Sequence, residues 1–180
     1  DTERRSAGLR SAMPSLHAVF SGNPGTGKTT VARIYAKILA ELGYLTSGHL
    51  IEGDRSTLVS QFVGDTARKT TESLQKSIGG VLFIDEAYAL KQNESDAFGQ
   101  EAIDTLLKFM EDHRENLVIV LAGYDNEMDQ LLKSNPGFKS RFNQYIHFDD
   151  YNDEQLAAII ISMAAAQGFT ISADDVTSAV

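Results

Sequence analysis

The sequence predicts an α/β domain with a central parallel sheet flanked by helices. Short apolar runs that are typical of buried strands alternate along the 180 residues with segments whose apolar residues recur at helical spacing. Two of the strand-type runs end in residues suited to bind phosphate or metal, and open parallel sheets bind their ligands at that edge. The chain has no cysteine, which excludes a disulfide framework and a thiolate metal site.

The first predicted element is a strand over residues 16–20, and it leads into a complete phosphate-loop motif. Residues 22–29 read GNPGTGKT, which matches G-x-x-x-x-G-K-[ST]. A helix is predicted from Thr30 to Leu42, so the motif has the strand–loop–helix context that it requires. We therefore expect a nucleoside triphosphate with Mg²⁺ to bind to the loop and to the start of this helix, at Gly22, Asn23, Pro24, Gly25, Thr26, Gly27, Lys28, Thr29 and Thr30.

The residue types of this loop explain the expected chemistry. Glycines let consecutive N–H groups curl around phosphate oxygens, and the helix N-terminus adds the positive end of its dipole. We expect the Lys28 ammonium to contact the β- and γ-phosphates and the Thr29 hydroxyl to ligate Mg²⁺. The alternative is a glycine-rich turn that arises by chance.

The elements after the phosphate loop continue the alternation. Strands are predicted at residues 49–52, 81–84, 117–122 and 145–148, and helices at 66–77, 99–112 and 153–167, the last capped by Asp153. A charged helix or arm is predicted at residues 3–11 and a helical region at 173–180. Because the strands stop near residue 150, we expect a nucleotide-binding domain over residues 1–150 and the beginning of a helical lid over 151–180.

Two adjacent carboxylates follow the predicted strand at residues 81–84, where the sequence reads VLFIDE. A buried parallel strand would bring Asp85 to the carboxyl edge of the sheet, where it can bind the Mg²⁺. Glu86 beside it can orient and deprotonate an attacking water. The alternative is that the pair only starts a helix as an N-cap, which would leave the Mg²⁺ without its second protein ligand.

The predicted strand at residues 117–122 is followed by Gly123, Tyr124 and Asp125, which places polar groups at the same edge of the sheet. Tyr124, and with less support Asp125, is a candidate to sense the γ-phosphate. The alternative is an ordinary strand-to-helix turn with Asp125 as its cap.

Arg141 follows the turn signal SNPGF at residues 134–138 and is the last Lys or Arg of the chain. A guanidinium offered from a loop stabilises the charge of a phosphoryl-transfer transition state, and a neighbouring subunit can supply it. The alternative for Arg141 is a surface salt bridge.

An aromatic–aliphatic–glycine triplet, Phe62-Val63-Gly64, lies in a predicted loop between a strand and a helix. Exposed apolar residues on such a loop indicate contact with a partner. The alternative is that Phe62 packs beneath its own loop.

The composition argues against some classes of partner. The formal net charge of −9 disfavours a protein that binds nucleic acid or anionic membranes mainly through charge. The chain has no run of about 18 apolar residues and no signal peptide, so we expect no membrane insertion and a cytoplasmic location. The start at Asp1 and the end within a predicted helix lead us to expect a fragment, from which a targeting sequence can have been removed.

With these motifs in this order, the sequence resembles the AAA+ ATPases, which are P-loop NTPases. More narrowly, it is similar to the group of CbbX (red-type Rubisco activase), stage V sporulation protein K and the type VII secretion AAA+ ATPases. The resemblance spans nearly the whole chain and is carried by residues 16–33, 58–70, 79–90, 98–107, 117–124 and 134–142.

The resemblance implies a homo-oligomeric ring, a hexamer, with ATP bound between subunits. Lys28, Thr29, Asp85 and Glu86 then act within one subunit, and Arg141 is similar in position to the arginine finger that acts on the neighbour. Phe62, Val63 and Gly64 match the first pore loop of the family, which grips a polypeptide and pulls it through the ring.

The resemblance also identifies departures from the family pattern. Tyr124 stands where many AAA+ proteins have an Asn or Thr as the first sensor. The helical lid is expected to begin near Tyr151, and its second-sensor arginine to fall after Val180.

The main functional hypothesis is therefore an ATP-hydrolysing remodeller that pulls on a client protein. One alternative is an ATP-dependent scaffold or binding switch, related to secretion or sporulation, that recruits partners without threading them. Another is a nucleic-acid motor or clamp-loader-like ATPase, which the acidic charge disfavours.

Overall fold

The computed structural model describes residues 15–171 of the chain. The predictions for residues 3–11 and 173–180 lie outside this range. The chain divides into two compact units, Asp1–Phe148 and Asp149–Val180. That the second unit is the start of a helical lid stays a prediction.

The first unit is built on five parallel strands. They are β1 (Ala18–Gly22), β2 (Leu50–Gly53), β3 (Val81–Ile84), β4 (Val118–Gly123) and β5 (Gln144–Phe148), in the order β2-β3-β4-β1-β5. Every neighbouring pair is parallel, so all five strands end at one edge of the sheet. The predicted α/β fold with a central parallel sheet is confirmed.

Seven α-helices and one 3₁₀ helix are described between and after these strands. The α-helices are α1 (Lys28–Glu41), α2 (Arg55–Leu58), α3 (Thr66–Lys76), α4 (Ala97–Asp112), α5 (Asp125–Ser134), α6 (Pro136–Arg141) and α7 (Asp153–Ala166); the 3₁₀ helix is Ala87–Leu90. The sequence predicted α1, α3, α4 and α7 to within a few residues. It did not predict α2, α5, α6 or the 3₁₀ helix, because these are short or mostly polar and carry little apolar periodicity.

The core of the first unit lies on both faces of the sheet, because successive residues of a strand point to opposite sides. One buried cluster contains Phe20, Phe83 and Val120 together with α1, and the other contains Leu82, Ile84 and Ile119 together with α3 and α4. Burial on both faces explains why β3 and β4 read as continuous apolar runs rather than alternating ones.

Helix α1 packs on the sheet through small residues. Ala32, Ala36 and Leu39 are buried, whereas the larger apolar residues on its other side are 37–64% exposed: Val31, Ile34, Ile38 and Leu42. The apolar spacing predicted the helix, but it did not show which face is buried. Alanine side chains let the helix approach the sheet closely.

In the second unit, the predicted cap of α7 is wrong by one residue. Asn152, not Asp153, is the N-cap: its side chain accepts from the Gln155 N–H at 2.9 Å, and the Gln155 side chain accepts from the Asn152 N–H at 3.0 Å. Among the described residues, no helix combines the length and the hydropathy that a membrane span requires.

Candidate nucleotide-binding site

The phosphate loop leaves β1 with three glycines in backbone conformations that other residues rarely adopt. The φ angles of Gly22, Gly25 and Gly27 are 138°, 79° and 90°. A Cβ on Gly22 would also lie 2.3 Å from the carbonyl oxygen of Phe148 at the end of β5. Glycine is therefore required for the backbone conformation of the loop, and at Gly22 also because a side chain would collide with the Phe148 carbonyl.

Helix α1 begins directly after this loop, and its N-terminus is suited to bind an anion. Its N-cap, Gly27, supplies no side-chain hydrogen bond, and no acidic residue lies in the first turn. The N–H groups of that turn thus have no side-chain cap, and the helix dipole adds positive charge. The residues present fit a bound phosphate.

Lys28 folds back over the loop. Its Nζ donates to the carbonyl oxygens of Gly22 at 2.8 Å and Asn23 at 2.7 Å. The Thr26 hydroxyl donates to the same Asn23 carbonyl at 2.8 Å, and Thr26 is buried. These bonds hold the shape of the loop, and contact of Asn23 and Thr26 with the nucleotide stays a prediction.

A cavity of about 370 Å³ lies in front of the loop, at the carboxyl edge of the sheet. It brings together residues from the ends of β1, β3 and β4 that are far apart in sequence. The lining residues are Gly22, Pro24, Gly25, Gly27, Lys28, Thr29, Thr30, Asp85, Glu86, Gly123 and Tyr124. Gly123 is the one member whose place in the cavity the sequence did not predict.

The oxygen ligands expected for Mg²⁺ converge in this cavity, since both Thr29 and Asp85 line it. The described residues contain no group of three or more His, Asp or Glu side chains that could hold a metal alone. Mg²⁺ characteristically binds through one or two protein oxygens and completes its shell with substrate phosphates and water. The donor set therefore fits Mg²⁺ that arrives with a nucleotide.

Glu86 has an unusual backbone conformation for its type. It is the one non-glycine residue with positive φ in the described chain, at 46°, and it directly precedes the 3₁₀ helix. It occupies the N-cap position of that helix, but its side chain makes no capping hydrogen bond. The Glu86 N–H donates to the Asp85 carboxylate at 3.0 Å.

Tyr124 and Asp125 separate into two environments. Tyr124 is 38% exposed, lines the cavity and is the N-cap residue of α5, without a side-chain cap bond. The suggestion that Asp125 caps this helix is wrong: Asp125 is its first residue. Its carboxylate lies 2.9 Å from His147 Nδ1, and interactions with Ser21 and then His147 lower the pKa of Asp125.

Arg141 does not reach the cavity of its own chain. It ends α6, just before β5, and its carbonyl accepts from the Ser15 hydroxyl ahead of β1, so it lies at the amino edge of the sheet. With about 3.3 Å per residue, the five residues of β1 put roughly 15 Å between that edge and the phosphate loop.

The surroundings of Arg141 are only partly those of a surface salt bridge. Its Nη2 lies 3.3 Å from the Glu111 carboxylate, and its side chain is 29% exposed. Its Nε is buried and has no hydrogen-bond partner among the described residues. Burial and the charge of Arg141 together lower the pKa of His17 to about 4.

The loop at residues 59–65, hereafter the apolar loop, presents its apolar residues to solvent. Phe62 is 76% exposed and Val63 is 92% exposed, so the interpretation that Phe62 packs beneath the loop is wrong. The loop is held at its base, where the Thr66 hydroxyl accepts from the Ser60 N–H at 3.1 Å and Lys69 Nζ donates to the Val59 carbonyl at 3.2 Å.

The base of the apolar loop lies next to the carboxylates of the nucleotide cavity. A second cavity of about 470 Å³ is lined by residues of both regions, among them Gln61, Asp85 and Glu86. Arg55, in the one-turn helix α2 that precedes the loop, also lines it.

Arg55 ties this helix to the segment that follows Glu86. Its Nη1 donates to the carbonyl oxygens of Ala89, at 3.2 Å, and of Leu90, and lies 2.7 Å from Asp96 Oδ2. Burial opposes the ionisation of Asp96, but hydrogen bonds from Arg55 and from two backbone N–H groups outweigh it and lower its pKa to about 2. No motif or spacing in the sequence indicated this pair.

Comparisons with known proteins agree with this geometry. The family described as "ATPase family associated with various cellular activities (AAA)" matches residues 18–150. Stage V sporulation protein K of Bacillus subtilis (strain 168) is 48% identical over 170 residues, 94% of this chain and 53% of the relative. The chloroplastic ribulose bisphosphate carboxylase/oxygenase activase of Cyanidioschyzon merolae (strain NIES-3377 / 10D) is 52% identical over 161 residues, 88% of this chain and 55% of the relative.

A solved structure, the FIGL-1 AAA domain in complex with ADP, is similar with a TM-score of 0.63 and 20% identity, covering 91% of this chain and 53% of that one. At that identity the likeness concerns the fold. The predicted resemblance to this group of ATPases is confirmed by the relatives. The chain spans about half the length of the curated relatives that it matches.

Proposed function

The chain belongs to the AAA family of ATPases, and from this premise we propose that it binds ATP with Mg²⁺, hydrolyses it between subunits of a ring, and uses the energy to move a client protein. The observation that carries the first step is the convergence of Lys28, Thr29, Asp85, Glu86 and Tyr124 on one cavity. The remaining steps rest on Arg141 and on the apolar loop.

The hydrolytic step is ATP + H₂O → ADP + phosphate. The loop N–H groups and Lys28 hold the β- and γ-phosphates, while Thr29 and Asp85 would hold Mg²⁺, which would neutralise charge that develops on the phosphate oxygens. Glu86 orients a water towards the γ-phosphorus and accepts its proton as the new P–O bond forms. The bond to the β,γ-bridging oxygen breaks, and the electron pair leaves with ADP.

The role of Glu86 is tested by Glu86→Gln, with Glu115→Gln as an exposed control. The amide keeps the size of the side chain but cannot accept the proton, so turnover falls by about 10² or more while ATP still binds. The measurements are ATP turnover and titration with a fluorescent ATP analogue. Unimpaired turnover in Glu86→Gln would remove Glu86 as the base.

The position of Arg141 supports hydrolysis across a subunit interface. A guanidinium at the amino edge of the sheet cannot serve its own phosphate loop, but it can serve that of a neighbour. A homo-oligomeric ring, proposed as a hexamer by family resemblance, meets this requirement.

The interface is tested with Arg141→Ala and Lys28→Ala in the intact protein. Each variant alone is expected to lose turnover, and specific activity of the unmodified protein is expected to rise with its concentration. Mixtures of the two variants are expected to regain part of the activity. In a mixed ring, an Arg141→Ala subunit keeps Lys28 and can receive Arg141 from a neighbouring Lys28→Ala subunit, so that interface has both residues. If activity is independent of concentration and no mixture recovers, each subunit hydrolyses ATP alone.

The exposure of Phe62 and Val63 supports contact with a client polypeptide. Phe62→Ala is therefore expected to reduce client remodelling by at least tenfold more than it reduces ATP turnover. Phe169→Ala is the matched control, since Phe169 is also exposed, at 65%, but lies in the other unit. Equal loss of both activities would contradict the pore-loop role, and full remodelling by Phe62→Ala would favour the scaffold or switch.

The identity of the client is proposed from family resemblance alone, and the candidate is a Rubisco-activase-like role. Cytoplasmic location and the absence of nucleic acid among the partners stay predictions. Salt-sensitive stimulation of ATP turnover by DNA would revive the nucleic-acid alternative.

A further inference from the structure

The left-handed backbone of Glu86 is held from both sides along the chain. A non-glycine residue with a φ of 46° persists only where the surrounding structure fixes it. On one side, the Asp85 N–H donates to the Gly53 carbonyl at 2.9 Å, at the end of the pairing between β3 and β2. On the other side, the Ala89 N–H donates to the Glu86 carbonyl at 2.7 Å. The position of Glu86 therefore depends on how firmly the 3₁₀ helix that contains Ala89 is held.

Arg55 holds the far end of this 3₁₀ helix. Its Nη1 donates to the carbonyl oxygens of Ala89, at 3.2 Å, and of Leu90. The last carbonyls of a helix have no partner within the helix, and here a guanidinium supplies one. Ala89 is thus bonded to Glu86 through its N–H and to Arg55 through its carbonyl.

The guanidinium of Arg55 is itself fixed against the first turn of α4. Nη1 lies 2.7 Å from Oδ2 of Asp96, whose side chain is only 8% exposed and whose Oδ1 accepts from the Gly99 N–H at 2.9 Å. Gly99 also leaves the space that this arrangement needs, since a Cβ there would lie 2.3 Å from the Leu90 carbonyl oxygen and 2.7 Å from Asp96 Oδ2. A rigid element of the fold therefore supports the donor.

Arg55 can act on the reaction without touching the nucleotide. It lines the second cavity together with Glu86 and Ala89, but it is not among the residues that line the nucleotide cavity. A change at Arg55 is therefore expected to reach the nucleotide site through Glu86.

We propose that Arg55 is a positioning residue for Glu86: by fixing the carbonyl end of the 3₁₀ helix, it keeps the Glu86 carboxylate where that group can orient the attacking water. The connection consists of two hydrogen bonds, from the guanidinium to the Ala89 carbonyl and from the Ala89 N–H to the Glu86 carbonyl. The proposal rests on the proposed role of Glu86 in ATP hydrolysis.

The first test is Arg55→Met in the intact protein. Methionine keeps an apolar stem but removes the donor to both carbonyls. We expect kcat for ATP to fall about tenfold with KM within about twofold, because the base is displaced while the contacts of the nucleotide are kept. An unchanged or increased kcat, or a change confined to KM, would overturn the proposal.

Thr70→Val is the matched control for a general loosening of α2. The buried Thr70 hydroxyl donates to the Leu58 carbonyl at 2.8 Å, so it anchors the same one-turn helix from the side of α3. Valine has nearly the same shape and cannot donate, so this variant is expected to be less stable but to change kcat by less than about twofold. If it lowers kcat as much as Arg55→Met does, the specific role of Arg55 is overturned.

A second variant covers the case in which Arg55→Met, which leaves Asp96 without its cation, does not fold. Arg55→Lys keeps a positive charge beside Asp96, but its Nζ lies one bond nearer to the backbone than Nη1 and cannot reproduce the same contacts. We expect kcat to fall at least about threefold. Thermal unfolding identifies the variants that are folded, and a normal kcat in every folded Arg55 variant would overturn the proposal.

The Glu86→Gln background separates positioning from a structural role. There is then no base to position, so adding Arg55→Met or Arg55→Lys should leave the residual turnover unchanged. If the Arg55 substitution lowers that residual turnover by the same factor as in the unmodified protein, Arg55 does not act through Glu86, and the proposal is overturned. If Glu86→Gln alone keeps full turnover, the proposed function fails instead, so the two failures are distinguished.

Discussion

The phosphate loop and the apolar loop both lie beyond the carboxyl ends of parallel strands, yet they are specified in different ways. The phosphate loop has three glycines with positive φ and a buried threonine that binds its own backbone. The apolar loop has one such glycine, Gly64, and exposes Phe62 and Val63. The first loop is defined by its backbone conformation, whereas the second is defined by what its side chains offer to a partner.

The largest effect is expected where the backbone of the phosphate loop leaves no room. Gly22→Ala places a Cβ 2.3 Å from a carbonyl oxygen at a φ of 138°. The strain costs about 3 kcal/mol or more in the free energy of unfolding, and nucleotide binding is lost with it. Urea unfolding and titration with a fluorescent ADP analogue measure the two effects. Unchanged stability would show that the loop adapts and is not defined by its backbone.

A smaller effect is expected at the ion pair that ties α2, ahead of the apolar loop, to the segment after Glu86. Asp96→Asn weakens the pair with Arg55 and the hydrogen bonds that the N–H groups of Gln92 and Gly99 donate to this side chain, at a cost of about 2 kcal/mol at pH 7. Asp129→Asn, which affects an exposed pair with Lys133, is the control and costs less than about 0.5 kcal/mol.

This prediction has a pH dependence with a definite sign. The folded-state pKa of Asp96 is about 2, below the value of about 3.9 for an unfolded chain. Its ionisation therefore stabilises the fold fully above pH 4, and that contribution disappears as the pH falls towards 2. The difference in the free energy of unfolding between Asp96→Asn and the unmodified protein should become smaller over the same pH interval. A difference that is constant with pH would exclude the charge as its origin.

Two glycines allow a matched test of the comparison itself. Gly25 and Gly64 both have φ of 79°, and a Cβ on either meets nothing within 4 Å. Alanine at each position should therefore cost about 1 kcal/mol of stability through the left-handed backbone alone. Only Gly25→Ala should also weaken nucleotide binding, as measured by the same titration. An equal loss of nucleotide affinity in Gly25→Ala and Gly64→Ala would show that the conformation of the apolar loop also determines nucleotide binding.

The smallest effect on stability is expected for Phe62→Ser. Because Phe62 is 76% exposed, the unfolding free energy should change by less than about 0.5 kcal/mol. Val63→Ser, at 92% exposure, should behave in the same way. Thermal unfolding measures both, and a loss above 1 kcal/mol would mean that the apolar loop packs on its own chain in solution.

The same contrast explains what the sequence could predict. Glycine spacing, a Lys-Thr pair and two carboxylates after an apolar run are local signals, so the cavity and most of its lining follow from the sequence. The direction of Phe62 is not local: it depends on whether other elements cover the loop. The sequence therefore left both interpretations open, and the structure resolved the exposure.

Other features escaped prediction for physical reasons that can be named. The buried face of α1 consists of two alanines and a leucine, so hydrophobicity alone did not indicate its orientation. The Arg55–Asp96 pair joins residues 41 positions apart, and no spacing rule relates them. The contact between the rings of Tyr88 and Tyr124 joins the 3₁₀ helix to the residue that follows β4, and no spacing rule relates the two positions.

The left-handed conformation of Glu86 has a consequence for how such a chain can evolve. A glutamate at a φ of 46° is about 1–2 kcal/mol less stable than a residue that adopts this conformation freely. Glycine or asparagine at position 86 would relieve that cost and abolish the carboxylate. On the proposed role of Glu86 as the base, selection for hydrolysis retains this residue, and a lineage released from that demand would accumulate more stable variants that bind ATP without hydrolysing it.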